Sequence, residues 1–209
     1  MSIQFDKVQP KTKEQLKQLI NYAFKHHIYD LNFIDTSKIT DMSWLFENVK
    51  HNFDISSWDV SNAKDMSHMF QFCYDLNCDL FSWDVSNVTN MKYMFACCEK
   101  FNCDLSNWNV SNVTNMSHMF FYCENFGINC FKSWDVSNVE NTSYMFYNCK
   151  NFNCDLSNWD VSNVTNMTSM FGRCKQFNCD LSHWNTSKIK NMKCMFKGCN
   201  RLTIPNWYK

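Results

Sequence analysis

The chain has 209 residues, and its 20 lysines and arginines balance 20 aspartates and glutamates, so the formal net charge is zero. This balance argues against a nucleic-acid or anionic-membrane binder, and the three isolated glycines exclude the glycine-rich phosphate loops of nucleotide-binding folds. Hydrophobic residues make up 45% and aromatic residues 17% of the chain, which is enough for a packed core.

The N-terminal segment is polar and lacks the apolar stretch of a secretory signal peptide, and no apolar run is long enough to cross a membrane. This predicts a cytoplasmic protein whose 13 cysteines are reduced. Residues 12–15 match a helix-capping box, and apolar residues follow at helical spacing from Leu16 to Phe24. We therefore expect a helix near residues 12–26 that covers the first repeat, where Ile34 takes the place of the repeat tryptophan.

A short internal repeat occupies most of the remaining chain. Its most regular marker is a tryptophan that returns at a constant interval, with a single interval that is longer by one: Trp58, Trp83, Trp108, Trp134, Trp159 and Trp184. A Met-Phe pair recurs with them from Met69-Phe70 to Met195-Phe196, and Leu45-Phe46 opens this series, which makes seven units. The extra residue lies near Phe126–Asn129. Such a period is typical of a stack in which each unit buries its apolar face against its neighbours.

The hydrophobic period changes inside each unit. Phe101, Cys103 and Leu105 alternate with polar residues, which predicts a short strand. From Val110 onward the apolar residues recur in steps of about three, which predicts a 3₁₀ turn or one to two α-helical turns. A strand followed by a helical return predicts an α/β repeat, namely a leucine-rich-repeat-like right-handed solenoid with an N-terminal helical cap and a parallel sheet.

The chain is therefore predicted to be a single solenoid domain, residues 1–209. We expect the helical cap at about residues 10–30, seven coils at about 31–200 and a C-terminal cap at about 201–209. Residues 202–207, which end in Trp207, would close the stack, since exposed strand edges at either end would invite association.

Three stretches carry a family resemblance: KTKEQLKQLI, IDTSKITDMSWLF and the repeated W-D-V-S-N-V-T-N-M-S-x-M-F-x-x-C. Together they resemble the BspA-like bacterial surface-protein repeat family over about residues 10–207. The resemblance implies a fold similar to leucine-rich repeats and a role in adhesion and protein–protein contacts. It also leaves a cell-surface or secreted location open, although surface members generally have an export signal.

The cysteines fall into two columns. Six follow the Met-Phe pairs, namely Cys73, Cys98, Cys123, Cys149, Cys174 and Cys199, and five lie in the predicted strands, namely Cys78, Cys103, Cys130, Cys154 and Cys179. Their paired spacing resembles a metal site, but side chains in stacked columns run parallel about 5 Å apart and do not converge as zinc ligands must. We expect a buried ladder of small apolar thiols, with Cys97 and Cys194 outside it as the more exposed, reactive ones.

Two sets of aspartates also recur. Asp79, Asp104, Asp155 and Asp180 form an outward column that would suit Ca²⁺ or would accept hydrogen bonds from local amides. Asp59, Asp84, Asp135 and Asp160 follow the tryptophans and are expected to cap turns.

The positions that vary while the repeat is kept are the candidates for recognition. The residue before each Met-Phe pair is aromatic or histidine in the earlier repeats, and more aromatic residues follow the pair. Because His68, Tyr93, His118 and Tyr144 hold the same position in four successive repeats, a regular stack should align them in one stripe. The candidate partner-binding residues are His68, Phe72, Tyr93, His118, Phe121, Tyr122, Tyr144 and Tyr147. The repeat does not require rings there, because Ser169, Gly172 and Arg173 occupy equivalent places. Such side chains suit a protein interface, and the alternative is that several fold back as additional core.

No histidine recurs beside a serine or cysteine nucleophile, so the sequence predicts no enzyme, no cofactor and no metal. The leading prediction is a non-catalytic protein–protein interaction module that binds another protein or a second copy of itself. It is expected to bind no nucleic acid and to insert into no membrane. The alternative is an adhesin-like binder of an extracellular ligand, a glycan or calcium on the polar strand face.

Overall fold

A computed structural model describes residues 7–127, 131 and 133–209 of the chain. It contains one α-helix, α1, which spans Lys13–Lys25. The predictions for Cys130 and for Ile128 and Asn129 of the insertion fall outside the described residues. None of the described residues forms a helix long and apolar enough to cross a lipid bilayer.

The predicted N-terminal helix is confirmed, together with its cap. Thr12 accepts a hydrogen bond from the Gln15 N–H through its hydroxyl, at 3.3 Å, and the Gln15 side chain accepts the N–H of Lys11 at 2.7 Å. After α1 and its C-cap residue His26, His27 turns the chain away in the left-handed conformation, with φ of 58°. The helix buries one apolar side, formed by Leu16, Ile20 and Ala23. The Lys13 ammonium fixes it to the first repeat by donating to Asp41 at 2.8 Å and Ser43 at 2.5 Å.

The predicted α/β leucine-rich-repeat-like solenoid is wrong. Apart from α1, the described residues contain no helix, and they form no β-sheet. Neighbouring repeats are joined by isolated parallel bridges that run through Asp41, Asp65, Asn90, Asn115, Asn141, Asn166 and Asn191. The segment from Phe101 to Leu105 is irregular where a strand was expected, and the expected helical return after Val110 consists of turns.

The physical reason lies in the backbone that carries the Met-Phe pair, which folds into overlapping β-turns. In the fourth repeat the N–H of Phe121 donates to the carbonyl of His118 at 3.1 Å, and the N–H of Cys123 donates to that of Phe120 at 3.0 Å. His118 and Tyr122 both have φ of 58°, in the left-handed region. A right-handed helix cannot contain such residues, so the three-residue spacing of apolar side chains arises from turns.

Between His118 and Cys123, the N–H groups that close no turn donate to the next repeat. The N–H of His118 donates to the carbonyl of Ser143 at 2.9 Å, and the N–H of Tyr122 donates to that of Tyr147 at 2.8 Å. Equivalent bonds recur between all neighbouring repeats of the series. Turn residues therefore make the inter-repeat bonds that a parallel sheet would have made, which explains why stacking occurs without strands.

Columns of identical side chains fill the interior. The rings of Phe46, Phe70, Phe95, Phe120, Phe146, Phe171 and Phe196 stack with successive centroids 5.4–5.9 Å apart. The indole N–H of each tryptophan from Trp58 to Trp207 donates to a main-chain carbonyl of the preceding repeat at 2.8–3.3 Å. As expected, Ile34 takes the tryptophan position in the first repeat, where it is buried. Trp207 continues the column into the C-terminal segment.

Position in the stack should determine how much a tryptophan stabilises the fold. Trp108 is fully buried between two repeats, whereas Trp207 is half-buried and has a repeat on one side. We expect Trp108→Ala to reduce the free energy of unfolding by about 3–5 kcal/mol, and Trp207→Ala by clearly less. Chemical denaturation of both variants measures this difference. Equal losses would contradict a structure held together by contacts between neighbouring repeats.

Candidate functional site

Five of the variable side chains form one continuous stack, which we name the aromatic ladder: Trp44, His68, Tyr93, His118 and Tyr144. Successive ring centroids lie 3.7–4.8 Å apart, and the ring planes differ by 8–15°. All five residues have φ of 56–61°, so their side chains leave the backbone in the same direction in every repeat. The predicted alignment of the last four is confirmed, and Trp44 extends it; their role in binding stays a prediction.

Three further candidates widen the ladder near its C-terminal end. The rings of Phe121 and Tyr147 stack at 5.4 Å, and Phe121 lies 5.4 Å from the ring of His118. Tyr122 contacts Phe121 at 4.6 Å. These side chains are half-buried, because ring faces cover one another while the remaining surface reaches solvent.

Phe72 does not join this group. Its ring contacts that of Tyr74 at 6.5 Å, and Cys97 occupies the equivalent position in the repeat between Phe72 and Tyr122. The structure therefore brings together seven of the eight predicted residues and leaves Phe72 apart from them.

His118 lies between two tyrosines within the ladder. Its ring centroid is 4.1 Å from that of Tyr93 and 4.7 Å from that of Tyr144. Burial, together with the positive charge of the nearby Lys92 and the neighbouring His68, lowers the pKa of His118 to about 4. Its Nδ1 atom is buried and has no hydrogen-bond partner among the described residues. The imidazole is therefore neutral at pH 7 and acts as one more uncharged ring.

The column of cysteines that follows the Met-Phe pairs is buried, as predicted. Each thiol donates to the main-chain carbonyl of the phenylalanine in the preceding repeat, at 2.9–3.0 Å; the donors are Cys73, Cys98, Cys123, Cys149, Cys174 and Cys199. Burial raises the pKa of Cys73 to about 12 and that of Cys199 to about 11. These thiols are structural and poorly nucleophilic at neutral pH.

Cys97 is more exposed than the thiols of this column, as expected, but its environment does not favour reactivity. Cys97 is half-buried, and burial raises its pKa to about 11, which disfavours the thiolate. Cys194 is also half-buried. Cys194 occupies the ladder position of the last repeat, one repeat after Ser169.

The recurring aspartates cap turns. In the outward column Asp79, Asp104, Asp155 and Asp180 each accept the N–H of the residue two positions later, at 2.8–3.1 Å. The predicted caps after the tryptophans, Asp59, Asp84, Asp135 and Asp160, accept hydrogen bonds in the same way at 3.0 Å. Across the described part of the chain, no three His, Cys, Asp or Glu side chains are grouped so that they could hold a metal ion.

Comparison with known proteins identifies the family. Residues 14–131 and 125–208 match the family described as "Mycoplasma protein of unknown function, DUF285". The chain belongs to this family. No curated protein and no solved structure matches it. The two matches overlap at residues 125–131, where the insertion interrupts the repeat of this DUF285 protein.

The neutral total charge of the DUF285 chain conceals a strong separation along the stack, which the sequence analysis missed. Residues 31–160 contain 7 basic and 16 acidic residues, a net charge of −9, whereas residues 161–209 contain 8 basic residues and one acidic residue, a net charge of +7. A local count along the repeats would have found this signal. All eight basic side chains of the C-terminal part are exposed.

The depressed pKa of His118 predicts a pH dependence of stability. The unfolded state binds a proton below about pH 6.5, whereas the folded state resists protonation down to about pH 4. The contribution of the neutral His118 to the free energy of unfolding is therefore fully present above pH 6.5, and it is lost as the pH falls towards 4. Because the ring is partly exposed, we expect the free energy of unfolding to fall by about 1–2 kcal/mol more in the wild type than in His118→Phe.

Urea denaturation between pH 7 and pH 4 measures this difference. His183→Phe, at an exposed histidine outside the ladder, is the matched control and should follow the wild type. An identical pH dependence of the wild type and His118→Phe would show that His118 is not held neutral.

The buried thiols predict a large difference between native and denatured reactivity. We expect an aromatic disulfide reagent to react with few cysteines in the native protein, chiefly half-buried ones such as Cys194, and with nearly 13 after denaturation. A denatured count near one, with intramolecular crosslinks found by mass spectrometry, would contradict reduced cysteines.

Proposed function

We propose that this DUF285 protein is a non-catalytic protein-interaction module of the BspA-like kind, and that the aromatic ladder with Phe121, Tyr122 and Tyr147 is its binding surface. The observation that carries the proposal is the ladder itself, which presents stacked rings from five consecutive repeats on one side of the molecule. Aromatic side chains of this kind dominate the energetics of protein interfaces.

The geometry of the ladder favours binding for an entropic reason. Each inner ring of the ladder is held on both faces by neighbouring rings. Each ladder residue is also fixed by a backbone bond to the next repeat, such as Tyr93 N–H to the Ser117 carbonyl at 3.0 Å. A partner would therefore meet a preorganised apolar surface whose side chains lose little freedom on association. The tyrosine side chains also carry hydroxyl groups that can form hydrogen bonds with a partner.

The groups that could carry chemistry are engaged in holding the structure, which supports a non-catalytic role. The recurring carboxylates accept main-chain N–H groups, and burial raises the pKa of the columnar thiols. His118 is neutral and confined between two rings.

The double variant Tyr93→Ser, Tyr144→Ser tests the proposal. Serine fits this backbone, because Ser169 has φ of 51° at the same position of the repeat. We expect a folded protein that has lost about 1.5–4.5 kcal/mol of stability, since three ring pairs of the ladder are removed and each contributes about 0.5–1.5 kcal/mol. It should also lose most of its association with a partner protein or a second copy.

Sedimentation velocity over a range of concentrations, and affinity capture from cell extract quantified by mass spectrometry, measure that association. Phe81→Ser removes one exposed ring outside the ladder and should behave like the wild type. If the double variant captures the same proteins in the same amounts and sediments identically, the ladder is not the binding surface.

A second candidate is an adhesin-like binder of a glycan or calcium on the polar face. It is favoured by a groove of about 470 Å³ near the N-terminal repeats, lined by Asp30, Asp54, Asp79, Asn52 and the exposed ring of Tyr29. This second candidate would require a cell-surface or secreted location, whereas the first is proposed with a cytoplasmic one. Calorimetric titration with Ca²⁺ and a glycan array separate the two candidates.

A further inference from the structure

The aromatic ladder stops abruptly at Tyr144. Ser169 and Cys194 occupy the next two ladder positions, so no ring continues the stack beyond Tyr144. A pocket of about 180 Å³ lies there, between Tyr144 and Tyr147 on one side and Ser169, Arg173, Cys194 and Lys197 on the other. The pocket occupies the place of the missing ring.

The size of the pocket matches one aromatic ring. A cavity of about 150 Å³ in a protein core admits benzene. Rings within the ladder are 3.7–4.8 Å apart, and His118 covers one face of Tyr144 at 4.7 Å, which leaves the other side of Tyr144 towards the pocket. An added planar ring would therefore continue the existing stack.

Gly172 leaves room for the Tyr147 ring, which forms part of the pocket wall beside Tyr144. The ring of Tyr147 lies directly over this glycine, and a Cβ atom at Gly172 would come within 2.7 Å of the ring carbons. A larger residue would push Tyr147 out of its position beside Tyr144. Because Gly172 has no side chain, Tyr147 keeps its position and the pocket keeps its shape.

The chemistry of the pocket points to an anionic ligand. Arg173 lies 5.6 Å from the ring centroid of Tyr147, and both Arg173 and Lys197 are exposed. Neither forms an ion pair with any carboxylate of the described residues. In residues 161–209, which supply four of the six pocket residues, the single acidic residue is Asp180.

We propose that this pocket binds an aromatic side chain flanked by a carboxylate on a partner polypeptide. The ring stacks on Tyr144 and the carboxylate pairs with Arg173 and Lys197. This inference rests on the proposed protein-binding function and specifies its partner chemistry. A nucleic acid is disfavoured because residues 31–160, with a net charge of −9, would repel a long polyanion that extends along the stack.

The first experiment uses short synthetic peptides. Acetyl-Asp-Tyr-Asp-amide should bind with a Kd in the millimolar range or tighter, measured by NMR titration. Acetyl-Asp-Ala-Asp-amide, which lacks the ring, and acetyl-Asn-Tyr-Asn-amide, which lacks the charge, should each bind at least about tenfold more weakly. Equal binding of all three peptides would overturn the proposal, as would tighter binding of an oligothymidylate.

Ser169→Tyr tests the location, because it fills the pocket with the ring that earlier repeats carry. The φ of 51° at Ser169 is close to the 56–57° of Tyr93 and Tyr144, so tyrosine fits the backbone. We expect this variant to keep its thermal stability and to lose peptide binding. Unchanged binding by folded Ser169→Tyr would overturn the proposal.

A charge variant keeps the proposal falsifiable if Ser169→Tyr fails to fold. Arg173→Gln with Lys197→Gln should weaken binding of the acidic peptide at least about tenfold. Lys175→Gln with Lys190→Gln removes the same charge from exposed lysines outside the pocket and should change the Kd by less than about twofold. Equal losses in the two double variants would show that only general electrostatic attraction acts.

Tyr93→Ser separates this inference from the proposed function. This single variant interrupts the ladder away from the pocket and leaves all six pocket residues unchanged. If Tyr93→Ser loses partner capture but the wild type binds no peptide, the pocket proposal is overturned. The ladder then still stands as the proposed binding surface. Peptide binding that survives in Tyr93→Ser and is lost in Ser169→Tyr would support the pocket independently of the ladder.

Discussion

The hydrogen bonds that pass from one repeat to the next are the constraint on which the rest of this structure depends. Within the turn segment, alternate N–H groups close turns or reach the carbonyls of the following repeat. Every donor then finds its acceptor only if consecutive turn segments stay in register. The Tyr93 N–H reaches the carbonyl of Ser117, and the His118 N–H reaches that of Ser143 in the same way, although the insertion lies between the second pair. The inserted residue is therefore absorbed outside the bonded segments.

These bonds also explain why so many residues other than glycine adopt the left-handed conformation. The described residues include 14 with positive φ that are not glycine, and all but His27 lie in the repeats. That conformation costs about 1–2 kcal/mol for an ordinary residue. In every repeat but the last, however, it directs an N–H at a carbonyl of the next repeat, as at His68, whose N–H donates to the main-chain carbonyl of Lys92 at 2.8 Å. A buried N–H left without that acceptor would cost a comparable amount.

The features that could be predicted are those that follow from the repeat period or from a local helix-capping pattern. The N-terminal helix follows from its cap and apolar spacing, while the buried cysteine column and the alignment of Tyr93 with Tyr144 follow from repetition. The conformation of the unit could not be predicted in this way, because overlapping turns place apolar side chains in steps of two and three just as a strand and a short helix do. The sequence does contain one signal of the left-handed turns. The ladder position holds Trp44, His68 and Ser169 among others but never a β-branched residue, as the left-handed conformation requires.

The two ends of the aromatic ladder differ, and this difference gives the surface a direction. At the Trp44 end, the positions equivalent to Lys197 and Arg173 are Glu47 and Asn48. The proposed partner, which carries a ring beside a carboxylate, would therefore meet Arg173 and Lys197 at the Tyr144 end and the carboxylate of Glu47 at the other. Because the stacked rings themselves are uncharged, orientation along the ladder depends on these end groups. In the proposed binding mode, apolar contact would supply the binding energy, and the charge separation between residues 31–160 and 161–209 would orient the partner along the ladder.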